Sequence, residues 1–203
     1  MKIFIHILVI LLFFACNSNT QKKKESKEQV SNKKAVETKV KSSANYSALF
    51  TDYTCNMGIS EMAKALQVSQ EKLTLVTFNS NTKRCYVDYE APNILPVRLS
   101  WGLSPSSKKG NKKLIDEALE FKRLNISPAG ISIELAETGD CYLRHSPMHG
   151  RITLLNSNYD NVITLDYGTR MQPNGERRSN EAQEALKQKI SKLANYLLKK
   201  YKK

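Results

Sequence analysis

The chain has 203 residues, of which 25% are charged and 40% are hydrophobic, and its formal net charge is +13. Lys2 carries one of these charges, residues 17–45 hold eight lysines against three glutamates, and residues 187–203 hold seven lysines and no acidic residue. Residues 46–186 are therefore close to neutral. This distribution argues against a basic surface for reading bases, so nucleic acid is not an expected partner.

An apolar segment begins the chain and ends at a cysteine. Residues 3–14 are apolar apart from His6, follow the charged Lys2 and lead to the small residue Ala15. A membrane-spanning helix needs about 20 apolar residues, so this segment has the length of a signal-peptide core. Residues 1–15 are predicted to be a signal peptide. A secretory signal cut elsewhere and an uncleaved anchor are the alternatives.

The junction Ala15-Cys16 resembles the end of a bacterial lipobox, although Phe13 stands where leucine is usual and Phe14 is bulkier than the usual residue. The resemblance implies that a peptidase cuts before Cys16 and that the Cys16 thiol receives a diacylglycerol. Acyl chains hold such a protein on a membrane without spanning it. We therefore expect an exported protein of the bacterial cell envelope that is anchored to a membrane. The outer membrane is favoured over the inner membrane.

A lysine-rich segment follows the cysteine. Residues 17–45 contain no aromatic residue and no sustained apolar period, so they cannot bury enough surface to offset the entropy of ordering. Residues 16–45 are predicted to be the lipidated cysteine with a disordered linker. The linker is interpreted as a solvated spacer, and attraction of its lysines to anionic lipid headgroups is the alternative.

Residues 46–203 are predicted to form a single α+β domain with a mainly antiparallel sheet. Strands are expected at 73–78, 84–90, 97–103, 131–136, 141–145, 151–156 and 161–167, because apolar and polar residues alternate there. Three helices are expected, at 60–67 with Ser60 as the N-cap, at 112–124 and at about 180–201. A loop is expected at 104–111.

Two of these helices carry apolar stripes. The inward side of helix 112–124 is expected to comprise Leu114, Ile115, Ala118 and Leu119, with Phe121 or Leu124. The C-terminal helix has a capping signature at Asn180 and an apolar residue every three or four positions, so it is expected to pack on the sheet. A basic helix that lies on an anionic membrane is the alternative.

Two short stretches suggest an internal duplication. RCYVDYEAP starts at Arg84 and DCYLRHSPM starts at Asp140, and both contain Cys-Tyr-aliphatic followed by a polar residue, an aromatic ring and a proline. Chance similarity of two strands is the alternative.

In layout, the predicted domain also resembles small exported bacterial lipoproteins of uncharacterised function. That resemblance implies a two-layer α+β binding domain and identifies no catalytic residue.

Three cysteines remain once Cys16 is assigned to lipid. An exported compartment permits disulfides, and we expect Cys55 to pair with Cys85, which leaves Cys141 as a buried free thiol. Pairing of Cys85 with Cys141 is the competitor, on the premise that the two lie in adjacent strands. Three reduced thiols are the third alternative.

Chemistry-bearing residues cluster at 141–149. Cys141, His145 and His149 are four residues apart, and Met148 adjoins His149, so a soft-metal site across a hairpin is a weak candidate. Two surface histidines that flank a turn are the preferred interpretation. Pro147 and Gly150 disfavour a helix there, and on a strand Cys141 and His145 are about 13 Å apart. No catalytic residue and no cofactor are predicted. The expected function is an envelope binding or accessory module whose partner is an envelope protein or ligand. The alternative is an envelope hydrolase or metal-dependent protein that uses this region.

Overall fold

The computed structural model describes residues 44–76, 83–92 and 94–203. The predicted signal peptide, Cys16 and nearly all of the predicted linker lie outside the described residues. The described elements are helices α1 (Ser47–Phe50), α2 (Ile59–Leu66), α3 (Lys108–Arg123) and α4 (Asn180–Tyr201), and strands β1 (Leu73–Leu75), β2 (Arg84–Tyr89), β3 (Val97–Pro105), β4 (Ser132–Leu135), β5 (Tyr142–Ser146), β6 (Arg151–Leu155) and β7 (Asn161–Asp166).

The strands form one antiparallel sheet in the order β1-β2-β3-β7-β6-β5-β4, which confirms the predicted α+β fold. The first three strands and the last four meet where β3 pairs with β7, with Trp101 opposite Leu165. Three strands separate β2 from β5. The premise that Cys85 and Cys141 lie in adjacent strands is therefore wrong.

One face of the sheet is apolar and is covered by α1, α2 and α4. Strand residues on this face, such as Leu99, Trp101 and Leu165, are fully buried because every second side chain of each strand points to the helices. The α4 stripe is buried too, including Leu186, Ile190, Leu193 and Leu197. Packing of α4 on the sheet is thus confirmed. Its N-cap is Ser179 and not Asn180, since the Ser179 hydroxyl accepts a hydrogen bond from the Ala182 amide at 3.1 Å.

Helix α3 covers part of the opposite face. Its buried residues include Ile115 and Ala118, which pack on Ile133, Leu155 and Val162. The prediction that Leu119 faces inward is wrong, since it is 37% exposed. Of the two alternatives Phe121 and Leu124, Phe121 is partly buried, whereas Leu124 is 49% exposed. The physical reason is that α3 meets only a small apolar patch, which a single narrow stripe fills.

The predicted bounds of the loop at 104–111 are also wrong at both ends. Strand β3 continues to Pro105 because Ser104 and Pro105 still pair with β7. Helix α3 starts at Lys108 because the Ser107 hydroxyl accepts from the Gly110 amide at 3.0 Å. The predicted strand at 73–78 ends at Leu75, and residues 77 and 78 lie outside the described residues.

The predicted disulfide between Cys55 and Cys85 is confirmed, and Cys141 is a buried free thiol. The disulfide ties the segment before α2 to β2. The two ends of the described chain are also tied together, since the backbone amides and carbonyls of Asn45 and Lys203 exchange two hydrogen bonds of 3.0 and 3.1 Å. Of the helices that the structure describes, none has both the length and the apolar character required to cross a bilayer.

Candidate functional site: an arginine-rich belt on the open sheet face

The sheet face that carries α3 is polar where α3 does not reach. Two adjacent cross-strand rows of side chains lie there, and we call them the polar belt. One row consists of Ser100, Asp166, Arg151 and Ser146, and the other of Arg84, Thr164, Thr153 and Arg144. The rows are two residues apart along each strand, which is about 6.6 Å. The belt therefore brings residues from five strands onto one surface.

Gly102 makes room for the arginine at one end of the belt. It lies directly opposite Arg84 in the pairing of β2 with β3. A Cβ atom on Gly102 would stand 2.4 Å from the Lys83 carbonyl oxygen and 2.9 Å from Arg84 Cγ, closer than real contacts allow. The absent side chain lets Arg84 lie across β3 and donate to Thr164 Oγ1 on β7 at 3.0 Å.

A single carboxylate holds two of the three arginines. Arg84 forms an ion pair with one oxygen of Asp166, and Arg151 Nε donates to the other oxygen at 2.5 Å. Ser100 is 92% buried beneath this group, and its hydroxyl accepts from Arg84 Nε at 3.2 Å. These contacts fix two guanidinium groups close together with only one negative charge between them.

The third arginine has a different partner. Arg144 donates to Ser146 Oγ at 2.9 Å, and among the described residues no carboxylate lies within ion-pair distance of Arg144. The belt thus carries three positive charges against one negative charge, a net charge of +2. A planar guanidinium presents its donors in a fork that matches carboxylate and phosphate oxygens.

A cavity of about 240 Å³ lies at the β5–β6 end of the belt. Its lining includes Arg144, Arg151, Ser146 and His149, together with Met148, whose side chain is 67% exposed. The cavity therefore combines guanidinium donors with a small apolar surface. Such a lining suits a ligand that carries an oxyanion next to an apolar group.

The structure separates the three candidate residues of the 141–149 region. His149 lines the belt cavity, whereas His145 lies on the other side of the sheet in a second cavity. Cys141 is fully buried, and burial raises the pKa of its thiol to about 12. Within the part of the chain that the structure describes, no group of three His, Cys, Asp or Glu side chains is arranged to hold a metal ion.

Sequence reasoning missed all three belt arginines. A signal was present, because Arg84 and Arg151 each occupy an outward position of a strand whose alternate residues are apolar, and Arg144 alternates with Leu143 and His145. That pattern places each arginine on a sheet face. It does not say that the three faces coincide, which depends on the strand order.

Comparison of the chain with known protein families, with curated proteins and with solved structures finds no match. The fold and the belt therefore have to be interpreted from their own geometry.

Proposed function

We propose that this protein is a lipid-anchored binding module of the bacterial envelope and that its polar belt holds a ligand with several oxyanion groups. The observation that carries the proposal is the excess of positive charge on an open sheet face, where three guanidinium groups stand against a single carboxylate. The anchoring part rests on the sequence at Ala15-Cys16.

Charge supports this proposal. A belt with a structural role alone would gain most from pairing each arginine with a carboxylate, because unpaired like charges repel each other. Arg84 and Arg151 instead share Asp166, and Arg144 is held by a neutral hydroxyl. A bound oxyanion would supply the missing negative charge, and its bonds to guanidinium groups would be stronger than neutral hydrogen bonds.

Size supports a ligand with more than one oxyanion. Four strand spacings separate Arg84 on β2 from Arg144 on β5, which is about 19 Å at roughly 4.8 Å per spacing. A single ion cannot contact both ends of the belt. A phosphate-bearing and a carboxylate-bearing ligand share the required chemistry.

Calorimetric titration of the detergent-purified protein with tripolyphosphate and with tricarballylate distinguishes these two sources. We expect one of the two to bind, and we expect the double variant Arg144→Met/Arg151→Met to bind it at least tenfold more weakly. The matched control is Lys122→Met/Arg123→Met, which removes two charges from the exposed end of α3. Equal losses of affinity in both double variants would show that only the net charge matters and would overturn the assignment of binding to the belt. Failure of both probes to bind would overturn it as well.

The anchor has its own test. Cys16→Ser should abolish incorporation of labelled fatty acid and move the protein from the detergent phase to the aqueous phase, because no thiol remains to be acylated. Asn17→Ser is the neighbouring control and should leave both properties unchanged. Detergent partitioning that persists in Cys16→Ser would contradict the anchor and would leave the belt proposal intact.

A further inference from the structure

A second cavity of about 340 Å³ opens on the helix-covered side of the sheet, at the start of α4. Its lining includes His145 from β5, Tyr167 at the end of β7, Arg170 from the following loop, and Gln183, Glu184 and Lys187 from α4. It lies on the opposite side of the sheet from the belt and does not depend on the proposed function.

Unsatisfied polar atoms are concentrated around this cavity. Seven described residues have a buried side-chain nitrogen or oxygen without a hydrogen-bond partner, and three of them line this cavity. The atoms are His145 Nδ1, Tyr167 Oη and Arg170 Nε, and the side chains of His145 and Tyr167 are at least 97% buried. Buried polar groups are normally paired, so three unpaired ones at one cavity indicate a missing hydrogen-bonding partner.

The contacts of His145 settle which of these atoms donate. Its Nε2 lies 3.1 Å from the Glu134 carboxylate, which only accepts, so Nε2 carries the proton and Nδ1 offers a lone pair. Burial lowers the pKa of His145 and keeps the ring neutral. Burial also raises the pKa of Tyr167 to about 12, so its hydroxyl stays protonated and donates.

The cavity thus presents one acceptor and two donors. Arg170 donates through its guanidinium group, which also contacts the neutral side chain of Asn180. Lys187 and Glu184 largely neutralise each other, since Lys187 Nζ lies 3.0 Å from a Glu184 carboxylate oxygen. An ammonium group on a ligand would be repelled by Arg170, whereas a carboxylate would be attracted.

We propose that this cavity binds a small hydroxy acid. Arg170 and Tyr167 donate to the carboxylate of the ligand, and His145 Nδ1 accepts from its hydroxyl group. The two recognition elements differ in chemistry, so ligands that lack one of them provide direct controls.

The experiment titrates the detergent-purified full chain with lactate, propionate and 1,2-propanediol, and follows the imidazole nitrogens of His145 by NMR. We expect lactate to bind and to shift His145 Nδ1, propionate to bind at least tenfold more weakly, and propanediol not to bind. Equal affinity for lactate and propionate would overturn the role of His145, and the absence of lactate binding would overturn the site.

Variants test the two donors. Tyr167→Phe removes one oxygen and Arg170→Met removes the guanidinium group, and each should weaken lactate binding at least tenfold. Tyr53→Phe is the matched control, because Tyr53 is also buried and its hydroxyl contacts Cys85 Sγ outside this cavity. A crystal structure at saturating lactate in which ordered water alone occupies the cavity would also overturn the proposal.

Discussion

Replacing Asp166 with asparagine should make the fold less stable and make the belt bind oxyanions more tightly. Asp166 is the carboxylate that Arg84 and Arg151 share. Asparagine keeps nearly the same shape and removes the negative charge. The two guanidinium groups would then repel each other without a counter-charge, and the net charge of the belt would rise from +2 to +3.

Both magnitudes follow from the structure. Arg84 and Asp166 are only 17% and 23% exposed, so the loss of their charged hydrogen bonds costs about 2 kcal/mol. Arg151 is 44% exposed, and its pair adds little because solvent screens it. For a fold of this size, about 2 kcal/mol lowers the melting temperature by about 4–8 °C. An oxyanion charge about 6 Å from the lost carboxylate gains about 1.4 kcal/mol at an effective dielectric constant of about 40, which is about tenfold in affinity.

Differential scanning calorimetry and calorimetric titration with the binding probe measure the two effects on one preparation. Asp88→Asn is the control, because Asp88 pairs with Arg98 at an exposed position and its loss should cost below about 1 kcal/mol. A variant Asp166→Asn that melts earlier but binds no better would refute the belt as the binding surface. An unchanged melting temperature would refute the structural role assigned to Asp166.

Three further predictions concern the fold. The Cys55–Cys85 disulfide closes a loop of 30 residues and so restricts the unfolded chain. Its reduction should lower the free energy of unfolding, measured with denaturant, by about 3.6 kcal/mol. Identical unfolding midpoints with and without reductant would contradict this. Leu193→Asp should unfold the protein because it buries an unpaired charge, whereas Lys192→Asp on the exposed side of α4 should preserve near-ultraviolet circular dichroism. Because burial lowers the pKa of His145 below 6.5, the unfolded state binds a proton that the folded state resists, so stability should fall as the pH drops below about 6.5. His145→Gln should flatten that dependence, and an identical pH profile in the variant would assign it to other groups.

Local periodicity made most of the elements predictable. Alternation identified six of the seven strands closely, and the three-four spacing of apolar residues identified α4 almost to its ends. Helix α1 was missed because four residues are too few to show a period. Aromatic contacts hold it in place, including Phe50 stacked on Tyr159 at 5.1 Å.

Strand order was not predictable, because it depends on contacts between distant parts of the chain. The pairing of Ser100 with Asp166 joins residues 66 positions apart, and no sequence period reports it. The polar belt was not predictable from the sequence for the same reason. Arg84 reaches Asp166 only by crossing the neighbouring strand at Gly102.

His145 and His149 were weak candidates for a shared metal site for a different reason. Their spacing of four residues is compatible with one site, but the chain turns between them at Pro147–His149, and Gly150 continues with a positive φ of 56°. The turn assigns His145 to one side of the sheet and His149 to the other.

The two backbone hydrogen bonds between Asn45 and Lys203 hold the start and the end of the folded domain next to each other. Paired antiparallel residues of this kind have Cα atoms about 5.5 Å apart. One extended residue spans about 3.3–3.6 Å, so a bridge of two or three residues would join the ends. New chain termini could then be placed at the exposed turn around Gly175, where an added side chain would meet nothing within 4 Å. Such a circular permutant of residues 45–203 would keep every strand pairing of the sheet.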